Sequence, residues 1–271
     1  TPLSINIPAP NATVPGNNFT VPGEFVLAVV DGGYFPACRL YRRWLDRNAP
    51  WWPEPGKFSR SDYPTWLTKI QTWVEWGAGY ADKTVPQTKA FAEAMGTPTA
   101  IHWYNWHQIP FDNDYPHYFP TKPGFREGVR ELQQAGIRVM PYINGRLWDT
   151  DTADFKAEAL RYATKREDGK PYIEVYGSKQ ELAPMCVHTA YWQDKVREIV
   201  LKLVSEEGVD AVYIDQVAAA HAVLCYDRSH GHPLAGGHWW VDGYWKMLGN
   251  LQQEIARVNP DKMLTTESNA E

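Results

Sequence analysis

The sequence predicts an α/β fold of the (β/α)8 TIM-type barrel class, incomplete here with about five strands present. From residue 98 onward, apolar runs of strand length alternate with segments of helical periodicity and no hairpin signal joins them, which indicates parallel βα units. The predicted strands also end in polar residues where loops begin, as strands do at the active face of such barrels. A doubly wound open sheet of five strands is the alternative, and the absence of a Gly-rich turn after any strand disfavours it.

The first 97 residues lack this regular alternation. Residues 1–23 are rich in Pro, Asn and Thr and predict an irregular or edge-strand lead-in, while residues 24–30 predict a short buried strand. Residues 36–97 are predicted to form a helical connector without a core of its own, because proline and glycine repeatedly interrupt the pattern. The amphipathic stretches of this connector cover residues 36–48, 63–76 and 86–95.

Residues 98–271 carry the regular pattern and are predicted to form the N-terminal part of the barrel. Its helices are recognised by an apolar stripe at helical spacing, with proline near a start or glycine after an end. The predicted strands cover residues 99–105, 137–143, 182–187, 210–215 and 263–266, and the predicted helices cover residues 123–135, 153–168, 191–207 and 240–258.

The composition points to a carbohydrate partner and excludes two others. The chain contains 13 Trp, 15 Tyr and 9 Phe in 271 residues, and so many flat amphipathic rings suit a cleft that stacks on sugars, although a Trp-rich core is the alternative. The net charge of −5 leaves no basic surface for phosphate backbones, so we expect no nucleic-acid partner. No stretch reaches about 18 apolar residues, so we expect no membrane span.

Cysteine and histidine spacing predicts neither a metal nor a cofactor. Cys38, Cys186 and Cys225 lie far apart without CxxC spacing, which excludes a zinc ribbon and a disulfide scaffold and leaves at least one free thiol. The residues considered as ligands of a catalytic metal show neither HxH nor HExxH spacing among themselves, so a metal-dependent hydrolase rests on composition alone. These residues are His102, His107, Asp112, Asp215 and Glu267.

Two carboxylates close the last two predicted strands, Asp215 and then Glu267. Adjacent parallel strands open into one mouth, so the pair suits glycoside hydrolysis, in which one carboxyl attacks or stabilises C1 and the other protonates the leaving oxygen. Neighbouring strands favour the carboxyl separation of about 5–5.5 Å found in retaining enzymes over the roughly 6.5–9.5 Å of inverting ones. Acids that merely cap the next helices are the alternative. Glu271 is held in reserve as a second candidate acid.

Candidate substrate-binding residues lie in the loops that follow the predicted strands. The first loop, residues 103–120, is too aromatic for an idle surface loop, and its rings and carboxylates suit the faces and hydroxyl groups of a sugar. Two alternatives remain open. Arg146 and Asp149 of the second loop can form a purely structural ion pair, and His188 and His221 can be satisfied by hydrogen bonds within their own loops. The predicted binding residues are Trp103, Trp106, His107, Asp112, Arg146, Trp148, Asp149, His188, Gln216 and His221, beside the strand-end residues Asn105 and Asn144.

Several stretches taken together resemble known glycosidase barrels. The chain is similar to the α-galactosidase-like glycoside hydrolases, to the endo-α-N-acetylgalactosaminidases of glycoside hydrolase family 101, and most closely to a bacterial group of glycosidase-like domains of unknown function. The resemblance covers roughly residues 24–271. It rests on residues 33–44, 111–116 and 123–125, on Met185-Cys186 with residues 192–194, and on residues 213–216 and 266–269.

The resemblance implies a function and a role for each carboxylate. In those enzymes the acid that ends the fourth strand is the nucleophile, so Asp215 would be the nucleophile and Glu267 the acid/base of a retaining O-glycosyl hydrolase acting on a carbohydrate substrate. The family also implies a β-sandwich domain before the barrel, of which residues 1–35 would be the edge, and the remainder of a longer parent chain as partner. We expect an extracellular or periplasmic location. A non-catalytic carbohydrate-binding protein on the same barrel is the alternative.

Overall fold

The computed structural model describes residues 6–49, 51–52, 63–76 and 79–267. Their secondary structure consists of short strands and amphipathic helices in alternation. Strands β1 to β8 are Thr72–Trp76, Thr99–Trp103, Arg138–Asn144, Leu147–Asp149, Glu174–Val175, Glu181–Pro184, Ala211–Asp215 and Met263–Thr266, and helices α1 to α6 are Tyr34–Asn48, Ala81–Met95, Phe125–Gln134, Ala153–Ala157, Ala190–Lys202 and Trp239–Val258.

Five strands form one parallel sheet in the order β1-β2-β3-β7-β8. Every neighbouring pair in this sheet is parallel, which confirms the prediction of consecutive βα units. The register sets Asn144 of β3 beside Asp215 of β7, and Ile214 of β7 beside Thr266 of β8. The polar ends of neighbouring strands therefore meet at one edge of the sheet. The five strands do not close into a complete barrel.

The first strand of the sheet lies inside the segment predicted to be a helical connector. Residues 63–76 were predicted as one amphipathic stretch, but a 3-10 turn over Leu67–Lys69 is followed by β1, which pairs with β2. The apolar residues at helical spacing belong in part to the 3-10 turn and in part to β1, so their spacing does not reflect one helix. Trp66 is buried, and its Nε1 donates at 2.7 Å to the carbonyl of Asp261, which lies just before β8. The parallel sheet thus begins before residue 98.

Two other predicted strands differ from the structure. Residues 24–30 form no strand and are largely solvent-exposed, with Val29 97% exposed, so the buried pattern there has no partner strand among the described residues. Residues 182–187 are a strand only as far as Pro184, in a separate antiparallel sheet of order β4-β6-β5. The run of apolar residues there fits a strand of either sheet, so the sequence could not assign the partner strand.

The long helices were predicted well, and their buried stripes form the core against the sheet. Each stripe buries aromatic and branched residues, at about 1.5–3 kcal/mol per large side chain. The helix predicted over 153–168 is wrong beyond Ala157, where a 3-10 turn over Ala159–Tyr162 follows. The core residues of α3, α5 and α6 include Phe125, Val129, Leu132, Trp192, Val196, Val200, Tyr244, Met247, Leu251 and Ile255.

Among the residues described, none of the helices combines the length and the apolar character that a membrane crossing requires.

Candidate active site

Asp215 ends β7 with its carboxylate fixed by two donors. The Tyr142 hydroxyl, from the neighbouring strand β3, donates to Oδ2 at 2.6 Å, and the backbone amide of Gln216 donates to Oδ1 at 2.8 Å. The second contact is possible because Gln216 has φ +62, a left-handed conformation that turns the chain sharply at the strand end. Both donors favour the ionised form of Asp215.

Glu267 follows β8, the neighbouring strand, and its carboxyl group lies close enough to that of Asp215 to raise its pKa. Burial first, and the Glu267 carboxylate second, raise the pKa of Asp215 above its ordinary value against the opposing effect of Tyr142. Asp215 therefore keeps its proton to a higher pH than an ordinary aspartate does.

Aromatic side chains from three strands surround this pair. The His102 ring lies 4.3 Å from that of Tyr213 and 4.5 Å from that of Tyr104, and Tyr104 stacks on Tyr142 at 4.8 Å. Burial lowers the pKa of His102 to about 4, so the ring is neutral. Burial and the nearby carboxylates, Asp215 among them, raise the pKa of Tyr104 to about 12, so its phenol stays protonated.

This aromatic layer was missed by the sequence analysis as part of the site. Its members point to the same face of the sheet because side chains alternate along a strand. Tyr213 precedes Asp215 by two positions, and Tyr142 precedes Asn144 by two, so the period-2 pattern counted back from the strand ends was the available signal.

Asp112 is the predicted loop residue that reaches this neighbourhood. Phe111 packs on the Tyr142 ring at 5.2 Å and on the Tyr104 ring at 5.9 Å, which brings the loop back over the sheet edge. Asp112 is half-buried at φ +57, and burial raises the pKa of its carboxyl group. Burial first, and then the charges of Asp112 and Asp215, raise the pKa of Tyr115 above its ordinary value.

The three predicted tryptophans lie in the core and have no free face for a sugar. Trp103 donates to the carbonyl of Gly79 at 3.2 Å, Trp106 to the carbonyl of Tyr142 at 2.7 Å, and Trp148 to the hydroxyl of Thr152 at 3.1 Å. All three rings are 0% exposed. The expectation of stacking on substrate is therefore corrected for these residues, since a ring enclosed on both faces can only serve packing.

Two more predicted binding residues hold their own loops together. His107 is fully buried, with Nδ1 2.7 Å from the carbonyl of Ile109, and burial lowers its pKa to about 4. Asp149 accepts from the backbone amides of Asp114 at 2.7 Å and Asp151 at 2.9 Å. Both residues therefore have structural contacts with the loop backbone.

Arg146 is buried and forms a two-bond ion pair with Glu174, with distances of 2.5 and 2.7 Å. The predicted structural pair with Asp149 does not form. Its guanidinium also donates to the carbonyl of His221 at 3.2 Å and lies 3.5 Å from the amide oxygen of Gln216. Arg146 thus fixes the start of the loop after Asp215 and offers no free donor surface to a substrate.

Of the remaining predicted residues, some lie beside Asp215 and others lie away from it. Gln216 is half-buried beside Asp215. His221 and His188 are exposed, and His188 lines a separate cavity of about 450 Å³. Asn144 is buried, and its side-chain oxygen accepts from the backbone amides of Arg146 and Leu147, so it shapes the turn after β3. Glu271 lies outside the described residues.

The parallel sheet presents the carboxylates of Asp215 and Glu267 at one edge. The chain belongs to the family described as "Domain of unknown function (DUF6259)", whose model matches residues 19–271. This agrees with the resemblance to glycosidase-like domains.

Two relatives share 32% identity with the chain. A protein of Bacteroides thetaiotaomicron named "Putative glycoside hydrolase" matches over 269 residues, covering 98% of this chain and 39% of its own length. A protein of Monosiga brevicollis named "Putative glycoside hydrolase 22789" matches over 301 residues, covering 99% of this chain and 25% of its own length. The chain therefore spans well under half of these relatives.

Solved glycosidases share the fold at low sequence identity. The α-N-acetylgalactosaminidase NagBb of Bifidobacterium bifidum, in complex with GalNAc, matches with a TM-score of 0.65 and 14% identity over 88% of this chain and 41% of that protein. The α-galactosidase TtGalA of Thermus thermophilus, in complex with p-nitrophenyl α-D-galactopyranoside, matches with a TM-score of 0.52 and 14% identity over 73% and 38% of the two chains.

Proposed function

We propose that this chain is the catalytic part of a retaining glycoside hydrolase that cleaves an O-glycosyl bond in an oligosaccharide, polysaccharide or glycoconjugate. The close pair of Asp215 and Glu267 at the ends of neighbouring strands is the observation that carries the proposal. Asp215 would attack the anomeric carbon, and Glu267 would protonate the leaving oxygen and then activate water.

The ionisation of Asp215 bears on the first step of this mechanism. Glycosylation needs an ionised nucleophile. Burial and the Glu267 carboxyl group raise the pKa of Asp215, whereas the donors from Tyr142 and from the Gln216 amide lower it and so favour the ionised form that attack requires.

The placement of the two carboxyl groups also bears on the stereochemical course. Their position at the ends of neighbouring parallel strands favours the separation of about 5–5.5 Å of retaining enzymes over the roughly 6.5–9.5 Å that an inverting enzyme needs for water. Entry of the sugar would displace the Glu267 carboxyl group from Asp215 toward the glycosidic oxygen. We therefore expect net retention of the anomeric configuration.

The substrate is sought first among α-linked galactose derivatives. The names of NagBb and TtGalA describe an α-N-acetylgalactosaminidase and an α-galactosidase, and both sheets superpose on this chain. The neutral phenols and half-buried Asp112 around Asp215 supply donors and an acceptor for sugar hydroxyl groups. Aryl α-galactosides and aryl N-acetyl-α-galactosaminides should thus be the first substrates, ahead of other α- and β-glycosides.

The test is hydrolysis of such an array by the longer protein that carries this chain, with Asp215→Asn as the inactive variant. Exposed Asp82→Asn on α2 is the matched control, because it makes the same chemical change away from the site. Turnover that Asp215→Asn lowers by about 10³-fold or more, with the control unchanged, supports the proposal. Sugar binding without turnover supports the carbohydrate-binding alternative.

The wider architecture is part of the same proposal. Five parallel strands would be completed to a (β/α)8 barrel by the remainder of a longer parent chain, since the relatives are more than twice as long. Exposed apolar residues near the N-terminus, such as Val26 and Leu27 at 80% and 87% exposure, suit a covering by a preceding β-sandwich domain. An extracellular or periplasmic location would place the enzyme with its carbohydrate.

A further inference from the structure

Four cysteine and histidine side chains, of types that can bind a metal ion, lie close together in the core, away from the carboxylate pair. Cys186, Cys225, His230 and His232 are all buried, and one ligand atom from each lies within 4.8 Å of all the others. Both cysteines are free thiols. Two sulfurs and two imidazole nitrogens are the ligand set of tetrahedral structural zinc sites.

We propose that these four residues bind one structural zinc ion. Zinc thiolate and imidazole bonds of about 2.3 and 2.0–2.1 Å require ligand atoms on a small tetrahedron, which a slight contraction of this cluster provides. Two thiolates and two neutral imidazoles balance the charge of Zn²⁺, so the buried complex is neutral overall. On binding, two S–H bonds break, two Zn–S bonds form, and the protons pass to solvent.

The hydrogen bonds of His230 aim its lone pair at the cluster. Nε2 lies 2.8 Å from the backbone carbonyl of Arg161, which can only accept, so Nε2 carries the hydrogen. Nδ1 is then the lone-pair nitrogen, and it lies 3.4 Å from Cys225 Sγ. A carbonyl behind a histidine in this way is the usual outer support of a metal ligand.

His232 is fixed in the opposite tautomer, with the same result. Its Nδ1 lies 2.8 Å from the carbonyl of Pro233, so Nδ1 carries the hydrogen and Nε2 keeps its lone pair. That Nε2 is buried and has no hydrogen-bond partner in the protein. The ring is held by stacking on Trp239 at 3.9 Å. A buried nitrogen without a partner needs a ligand, and zinc supplies one.

The surroundings of the sulfurs suit thiolates and allow the ion to enter. The backbone amide of Lys165 donates to Cys225 Sγ at 3.5 Å. A cavity of about 450 Å³, lined by His188 and His230 among others, lies beside the cluster and gives a path for the ion. Four protein ligands leave no open coordination position, so the ion would serve structure and would activate no water.

The ion would fasten the loop that follows the candidate nucleophile. Cys225, His230 and His232 lie in the long connection between β7 and α6, whereas Cys186 lies between β6 and α5. Long irregular loops need such anchors, because they bury few apolar contacts of their own. Arg146 holds the start of the same loop through His221. The sequence signals were the HxH spacing of His230 and His232 and the neighbouring Cys225.

The test is the metal content of the purified full chain, which does not depend on the proposed glycosidase function. We expect about one zinc per chain by plasma mass spectrometry, and cobalt reconstitution should give the thiolate charge-transfer and visible bands of a tetrahedral site. Cys225→Ser and His232→Asn should lose the zinc. Cys38→Ser, which alters the exposed cysteine outside the cluster, should keep it.

Thiol titration of the unmodified chain keeps the proposal testable where a variant fails to fold. The native chain should expose the Cys38 thiol alone, and a strong chelator should release the other two together with the zinc. A metal-free chain, a disulfide between Cys186 and Cys225 under non-reducing conditions, absence of the cobalt charge-transfer band, or full zinc retention by Cys225→Ser would overturn the proposal. Loss of zinc binding with glycosidase activity intact, or the reverse, would separate the two proposals.

Discussion

At the scale of single residues, burial disfavours the ionised form of Asp215, whereas its two hydrogen-bond donors favour that form. Its position at the end of β7 was predicted from sequence, because an acid closing an apolar strand is visible in the residue order. The Tyr142 contact was not predictable, since it depends on which strand lies beside β7. The burial of Trp103, Trp106 and Trp148 was equally hidden, because composition does not tell which face of a ring is covered.

Removing the Tyr142 hydroxyl should change the pH dependence of activity. The hydroxyl donates to Asp215 and so lowers the pKa of that carboxyl group. In Tyr142→Phe the pKa of Asp215 rises, and the acid limb of the kcat/KM profile moves to higher pH, because the nucleophile must be ionised. Tyr34→Phe, which removes the hydroxyl of a largely exposed residue of α1, is the control and should leave that limb in place. An unshifted limb in Tyr142→Phe would contradict the role of this contact.

Asp215→Asn should raise stability at neutral pH. The pKa of Asp215 is raised in the folded state, so below about pH 4 both states are protonated and the residue has no effect. As the pH rises from there to the folded pKa, the unfolded state loses its proton first and the wild type loses stability. The uncharged variant avoids this loss.

Thermal unfolding from pH 4 to pH 8 measures this effect. The Tm of Asp215→Asn should exceed that of the wild type by a few degrees at pH 8 and by almost nothing at pH 4. Glu93→Gln, on the exposed face of α2, should show no such trend. A constant Tm difference across the range would show that the carboxylate is not destabilised in the fold.

At the scale of elements, the sheet edge depends on close approach of β3 and β7. Gly145 follows β3 and donates its backbone amide to the carbonyl of Asp215 at 3.1 Å. A Cβ on Gly145 would lie 2.2 Å from Ile214 and 2.8 Å from Val217, whereas one on Gly177 would meet nothing within 4 Å. Glycine at 145 therefore permits the strand end that carries Asp215.

Gly145→Ala should destabilise the chain by about 1–3 kcal/mol, because overpacking forces the end of β7 to shift. Gly177→Ala is the matched control and should change the free energy of unfolding by less than about 0.5 kcal/mol. Urea unfolding measures both, and the aromatic circular dichroism should change only in Gly145→Ala. Equal stability of the two variants would contradict the tight packing at this strand end.

Strands were predicted correctly where the sequence pattern fits only one type of element. The sheet strands β2, β3, β7 and β8 were recognised because each is a short apolar run between helices with clear caps. β1 was missed because a turn and a strand together imitate helical spacing. β6 was assigned to the wrong sheet, because register and partner are set by contacts far away in sequence.

At the scale of the whole molecule, the sheet order sets the ends of β7 and β8, with Asp215 and Glu267, side by side. The parallel order was predictable from alternation. The HxH spacing of His230 and His232 was a partial signal for the proposed zinc site, but the approach of Cys186 to Cys225 was not predictable, because the two residues are 39 positions apart and meet only in the folded chain. The candidate nucleophile and the proposed zinc site flank the same loop. The stability of that loop should therefore decide how firmly Asp215 is held.

Covalent trapping of the nucleophile tests the central claim most directly. A 2-deoxy-2-fluoro glycosyl fluoride of the sugar that proves to be cleaved should inactivate the enzyme, because it forms the glycosyl-enzyme intermediate faster than it is hydrolysed. Peptide mass spectrometry should locate the adduct on Asp215, and Glu267→Gln should leave that site of attachment unchanged. Turnover without any adduct on Asp215, or an adduct on Glu267, would contradict the assignment of the two carboxylates.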